Sequence, residues 1–208
     1  MKHLQQFLVF LIFSLSGVAH AATATVVATG TCPADPSNIQ TAIDNAAPGD
    51  TIQLLPGHGK IPFNFTCNVA VTIQTAGLTI IGMPGVILIN GSGTTQAAIR
   101  IFSDNVTVSE VNFQNFGYGI LATNPDYSAT EPCPASLTVT KGRFVNNALV
   151  GVAVLGVCDH FRFTNNTVRV PAPVSPSAGA PIGLVVATRD SDLLVAADFS
   201  RPTGQHSL

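Results

Sequence analysis

The chain has 208 residues, with 9 lysines and arginines against 11 aspartates and glutamates, for a formal net charge of −2 at pH 7. That balance excludes the strongly basic surface on which nucleic-acid binding depends. Only 10% of residues are charged, against about 25% in typical domains, and Val, Ile, Thr, Asn, Gly and Pro are prominent, a composition for strands and turns rather than helices.

The N-terminus reads as an export signal. Lys2 and His3 form a short positive end, Phe7 to Val18 is an apolar run, and Ala19-His20-Ala21 is the small-x-small pattern that a signal peptidase cleaves. The run is too short to span about 30 Å of hydrocarbon as a helix. Residues 1–21 are therefore expected to be removed, leaving residues 22–208 as one domain. The expected location is secreted or periplasmic, with no membrane-spanning segment after cleavage. In an oxidising compartment the four cysteines favour two disulfides. There is no CxxC pair to suggest a metal, and no metal or cofactor is expected.

Ser37-Asn38-Ile39-Gln40 fits a capping box, with Ser37 as N-cap and Gln40 at N3. Ile39, Ala42, Ile43 and Ala46 then mark one apolar helical face, and Pro48-Gly49 ends it. Residues 50–57 follow as the expected first strand and turn.

Beyond this the chain repeats. Gly77-Leu78-Thr79-Ile80, Asn105-Val106-Thr107-Val108, Ser136-Leu137-Thr138-Val139, His160-Phe161-Arg162-Phe163 and Asp192-Leu193-Leu194-Val195 share one pattern: a turn residue, then apolar, mostly polar, apolar. Phe113, Phe144 and Val168 follow three of these at a constant offset. Interleaved runs, at Ile99-Arg100-Ile101, Ile120-Leu121-Ala122, Val152-Ala153-Val154 and Leu184-Val185-Val186, form a second set, the last three each led by a glycine, Gly119, Gly151 or Gly183. Short strands recurring every ~20–30 residues without intervening helices fit a solenoid. An antiparallel sandwich would show hairpin turns and unlike neighbours. In a solenoid Leu78, Val106, Leu137, Phe161 and Leu193 stack as one inward column, and Ile80, Val108, Val139, Phe163 and Val195 as the next. Thr79, Thr107, Thr138, Arg162 and Leu194 point outward between them. The helix would be a lid over the first coil, whose open end would otherwise expose apolar side chains and unpaired backbone.

The stretch Ile39-Gln40-Thr41-Ala42-Ile43-Asp44, Pro48-Gly49-Asp50-Thr51-Ile52 and Leu55-Pro56-Gly57 resembles the N-terminal opening of the pectin-lyase-like right-handed parallel β-helix proteins. The likeness covers the lid helix and first strand, and the later coils only as a loose pattern. It implies an all-β, right-handed, single-stranded parallel β-helix with a short N-terminal capping helix, about five or six coils here. Asn115 and Asn146 fit either the asparagine ladder common in that family or turn positions in the left-handed region. Cys133 and Cys158 lie just before equivalent strands on adjacent coils, about 4.8 Å apart between stacked strands, which suits a disulfide. Cys32 and Cys67 are left as the second pair.

The resemblance also implies carbohydrate chemistry on the outside of the solenoid. Lyases need a base and a neutraliser, often calcium or Arg, and hydrolases need paired or tripled acids. The candidate columns are Glu110 with Lys141 and Arg143, and Asp159, His160 and Asp192. Glu110 and Lys141 are equivalent one coil apart, as are Asn112 and Arg143, and His160 and Asp192 are near-equivalent. Each group also reads as a surface ion pair or ordinary turn residues. No family catalytic signature carries over. The expected function is binding of a polysaccharide or cell-surface partner without turnover. The alternative is a polysaccharide lyase, epimerase or hydrolase acting on acidic glycans, with calcium as cofactor if a lyase. After Val195 no lid is evident, so the C-terminal end is expected to be frayed or covered by a partner chain. A non-reducing peptide map should join Cys133 to Cys158 and Cys32 to Cys67; a Cys32–Cys158 peptide would overturn the pairing and the coil alignment together.

Overall fold

Residues holding a left-handed backbone recur at regular places along the chain, most of them between successive strands. Gly49 (φ 92°), Gly77 (72°), Asn105 (58°), Ser136 (57°) and His160 (59°) form one series. Glu110 (60°), Lys141 (53°) and Asn165 (57°) form a second, and Asn115 (64°) and Asn146 (54°) a third. Glycine takes this conformation freely, and asparagine tolerates it better than other side chains do. Each such residue bends the chain sharply between short extended segments.

A computed structural model describes residues 21–30, 34–57, 65–66, 71–84, 86–89, 97–124, 126, 133–147, 150–156, 159–169, 182–187 and 194–200. In chain order the elements are β1 (Thr23–Val27), α1 (Ala34–Asp44), β2 (Thr51–Leu55), β3 (Phe65–Thr66), β4 (Val71–Ile73), β5 (Thr79–Gly82), β6 (Ile87–Ile89), β7 (Ala97–Ile101) and β8 (Thr107–Ser109). They continue with β9 (Asn112–Gln114), β10 (Tyr118–Thr123), β11 (Thr138–Thr140), β12 (Arg143–Val145), β13 (Val150–Leu155), β14 (Arg162–Arg169), β15 (Ile182–Ala187) and β16 (Leu194–Ser200).

The strands stack into three parallel faces. β1, β2, β5, β8, β11 and the start of β14 form the first. β3, β6, β9, β12 and the end of β14 form the second. β4, β7, β10, β13 and β15 form the third. This is a parallel β-solenoid, as the repeat predicted. β14 runs unbroken through the Asn165 corner and so joins the first two faces, and β16 lies along it.

The inward columns are those expected. Leu78, Val106, Leu137 and Phe161, and Ile80, Val108, Val139 and Phe163, are each 1% exposed or less. On the second face Leu88, Phe113, Phe144 and Val168 share one register, with the Phe113 and Phe144 rings stacked at 4.9 Å. Each such side chain contributes roughly 1.5–3 kcal/mol by burial. Val195 departs from the expected column: it is 39% exposed, because its strand β16 has a partner only on the β14 side among the described residues. Leu193, also assigned inward, lies outside the described residues, as do the C-terminal residues 201–208 where a missing lid was expected.

The corners are fastened coil to coil. The amides of six of the left-handed residues donate to a carbonyl of the next coil: Asn105 to Ala135 (2.8 Å), Ser136 to Asp159 (2.7 Å), Glu110 to Thr140 (3.0 Å), Lys141 to Thr164 (3.2 Å), Asn115 to Val145 (3.2 Å) and Asn146 to Arg169 (3.0 Å). Asparagine side chains add bonds to the preceding coil. Asn112 donates to Val86 O (2.8 Å), Asn147 Oδ1 accepts from Phe116 N (3.1 Å), and buried Asn166 accepts from Gly142 N (2.7 Å) while donating to Val139 O (2.8 Å). These positions, rather than Asn115 and Asn146, carry the asparagine contacts between coils; Asn115 and Asn146 are left-handed corner residues.

Two corrections fall at the N-terminal end. The helix begins at Ala34, so Ser37 lies inside it and is no N-cap. Asp35, in the first turn, ties the helix to the segment before it, its carboxylate accepting from Thr29 N and Thr29 Oγ1 (each 2.7 Å) and from Gly30 N (3.0 Å). Gln40 turns to the strand edge, its amide exchanging two bonds with the Thr72 backbone (2.7 and 3.0 Å) as a further rung would. The lid role itself holds: α1 packs on β1, β3 and β4 with Ile39 and Ile43 buried. The second correction is β1, an unexpected strand that precedes the helix and pairs with β2, making β2 the second rung of its face.

Gly119, Gly151 and Gly183 occupy matching positions of β10, β13 and β15. A Cβ on Gly119 would lie 2.5 Å from Gly151 O and 2.6 Å from Phe144 Cδ1. Gly119→Ala should therefore destabilise the fold by roughly 1–3 kcal/mol, read as a lower denaturant midpoint, and Phe144→Leu in the same chain should recover part of that loss.

Candidate functional site

The third face presents little to solvent among the described residues, since Leu121, Thr123 and Ala153 on its outer side are 7%, 0% and 1% exposed. Solvent-facing strand surface lies on the first and second faces, and the first carries the more regular column. There the register places Thr23, Thr51, Thr79, Thr107 and Thr138 directly above one another, with Arg162 next. Thr79, Thr107, Thr138 and Arg162 were legible as an outward column; Thr23 and Thr51 extend it. Two residues along each strand runs a companion column, Thr25, Gln53, Ile81, Ser109, Thr140 and Thr164. Its last two hydroxyls are hydrogen bonded at 3.2 Å. Parallel stacking sets about 4.8 Å between rungs, and strand rise sets about 6.6 Å between the columns. The result is a flat, regular array in which each threonine offers a hydroxyl and a methyl on a stiff, β-branched side chain. The repeated Thr-x-Thr at Thr23 and Thr138 was the signal for the companion column.

The ridge between the first and second faces carries the charged candidates. Glu110 and Lys141 are successive left-handed corner residues, and Lys141 Nζ stands 3.0 Å from Glu110 Oε1. The expected equivalence is thus a direct ion pair. Its side chains are 60% exposed for Lys141 and 36% for Glu110, so its worth to stability is small. Arg143 stacks between Asn112 and Thr167 on the second face, exposed and outside that pair. Arg162 and Arg169, at the two ends of β14, are likewise exposed. Four cations therefore stand on two successive coils, of which the sequence reading singled out Lys141 and Arg143.

Asp159 and His160 are exposed at the corner before β14, where His160 is left-handed and the Asp159 carbonyl accepts from Ser136 N. Their expected companion Asp192 lies outside the described residues. Cys133 is buried and disulfide-bonded; Cys32, Cys67 and Cys158 lie outside the described residues. Among the described residues no group of three or more His, Cys, Asp and Glu side chains is gathered as a metal site would require. No helix among them is long and apolar enough to cross a membrane.

The ridge pair should be thermodynamically quiet. Lys141→Ala is expected to change the unfolding free energy by about 1 kcal/mol or less, whereas Asn166→Ala, which strips two bonds from a buried coil contact, should cost about 1–3 kcal/mol. Parallel urea titrations would rank the two. No protein-family model, curated protein or solved structure matches the chain, so its functional reading rests on this geometry.

Proposed function

We propose that the chain is an exported β-helix of the pectin-lyase-like kind that binds polysaccharide along its first face without turning it over. The carrying observation is the threonine column Thr23, Thr51, Thr79, Thr107 and Thr138 with its companion. An extended glycan is a linear polymer that alternates hydroxyl groups with C–H surface. A straight array of hydroxyls and methyls at constant spacing meets such a polymer at several rungs at once. The side chains are already ordered, so binding costs little rotamer entropy. Right-handed winding is the expected hand, because crossovers between parallel strands of one sheet are right-handed in about 98% of cases. Export to the cell surface or periplasm places the protein where such polymers occur, and the disulfide at Cys133, with Cys158 as its expected partner, suits that compartment.

The second reading is a lyase, epimerase or hydrolase acting on acidic glycans, with calcium as cofactor if a lyase. Lys141, Arg143, Arg162 and Arg169 stand on two successive coils, spread over the first face, the ridge and the second face, and their charge favours an acidic ligand there. A panel of neutral and uronate polysaccharides, scored for retardation in affinity gels and for new unsaturated or reducing ends, separates the two. Binding without new ends is expected, and Thr79→Lys with Thr107→Lys should weaken it about tenfold or more, equivalent to about 1.4 kcal/mol. Turnover that disappears in Lys141→Ala or Arg143→Ala would replace the binding reading with the enzymatic one.

A further inference from the structure

Asp50 sits at the turn that closes the first coil and holds two segments together. Its Oδ2 accepts from Ala47 N at 2.8 Å, and its Oδ1 accepts from Ala22 N at 2.7 Å. Ala22 also accepts from Thr51 N through its carbonyl at 2.8 Å. Ala22 is the residue immediately before β1, and it is exposed. It is also the residue that follows Ala19-His20-Ala21, the small-x-small pattern read as a signal-peptidase site.

We propose that the Ala21–Ala22 bond is a processing site whose new N-terminus is received by Asp50, so that cleavage locks the first strand onto the solenoid. A signal peptidase hydrolyses that bond with one water. The hydroxyl goes to the Ala21 carbonyl carbon, which leaves as a carboxylate, and the Ala22 nitrogen takes protons to become an α-ammonium. Before cleavage Ala22 offers Asp50 one neutral amide N–H. Afterwards the same nitrogen carries a full positive charge and three donors at the same place, and a charge-assisted bond is roughly twice as strong as a neutral one. Asp50 is prepared for that partner: its bonds from Ala22 and Ala47 hold the carboxyl below the usual carboxylate range, so it is ionised wherever an α-ammonium exists. The consequence reaches past one contact. β1 is the outermost rung of its face, bonded to β2 on one side, and α1 packs against it. A strand fastened at its first residue is protected from fraying at the place where edge strands are weakest. The new ammonium would also stand next to Thr23, the end of the threonine column.

The proposal rests on the export reading and is tested on the exported, full-length mature chain. N-terminal sequencing should begin at Ala22; a start elsewhere overturns the proposal and leaves the glycan-binding assays of the threonine face unaffected. Competitive amine labelling across pH should then give the Ala22 amine a pKa above the usual α-amino range of about 7.7–8.0, since an adjacent carboxylate favours the charged form. Asp50→Asn should return it to that range and raise its labelling rate at neutral pH several-fold. Because Asp50→Asn also loosens the Ala47 turn, the unmodified protein decides alone if that variant fails to fold: an Ala22 amine that titrates within the usual range overturns the pairing.

Discussion

Everything in this molecule depends on parallel coil-to-coil hydrogen bonding at the left-handed corners. In each of the six corner bonds given above, the amide of the left-handed residue reaches forward to the next coil, while strand amides such as Thr107 and Thr138 reach back to the previous one. A corner is therefore held from both sides, and the register of one coil is imposed on the next. Shifting a coil by one residue would break both sets of bonds and turn each inward Val, Ile or Phe outward. That coupling explains how Ser136, Glu110 and Lys141 can occupy a conformation that costs ordinary side chains about 1–2 kcal/mol: the ladder fixes the backbone and the side chain follows.

The same coupling builds the candidate site. A single outward threonine is unremarkable, but register makes each one the neighbour of the next, so the chemistry of the first face is a property of the stack. The ridge pair arises the same way, since Glu110 and Lys141 meet only because both are corner residues of adjacent coils. A solenoid thus converts sequence periodicity into surface periodicity, and the fold and the proposed binding array come from one repeat. The fold alone does not select a function; the proposal rests on the column of side chains.

What was legible in the sequence follows from where the determinants lie. Inward columns such as Leu78, Val106 and Leu137 were readable because burial and the two-residue period of strands leave a local signature. The Glu110–Lys141 equivalence was readable from the same alignment. The helix start was misread because Ser37 and Gln40 satisfy a local rule that other contacts override: the helix already includes Asp35, whose carboxylate binds Thr29 and Gly30 upstream, and Gln40 has a strand edge to complete. β1 was missed because Thr23–Val27 pairs with residues beyond an intervening helix, and its Thr-x-Thr, though readable, does not point to that non-local partner. Asn112, Asn147 and Asn166 were passed over for a comparable reason. A polar residue bonded across coils looks, in sequence, like any turn asparagine.

The corner at Asn165 has an implication for assembly. β16 matches β14 up to Thr164 opposite Ala196, then skips, with Asn166 opposite Ala197, so Asn165 has no counterpart. The rungs before it each include a residue at that corner, and β16 passes without one. β14, with Asn165 as its extra residue, still pairs with β16 on both faces, so the ladder absorbs a difference of one residue at the ridge. Parallel β-stacks are prone to grow by adding like to like at an open edge. Here the shortened rung lacks the left-handed corner residue whose amide, in Glu110 and Lys141, reaches forward to the next coil, so β16 offers a following rung one bond fewer than the coils beneath it do.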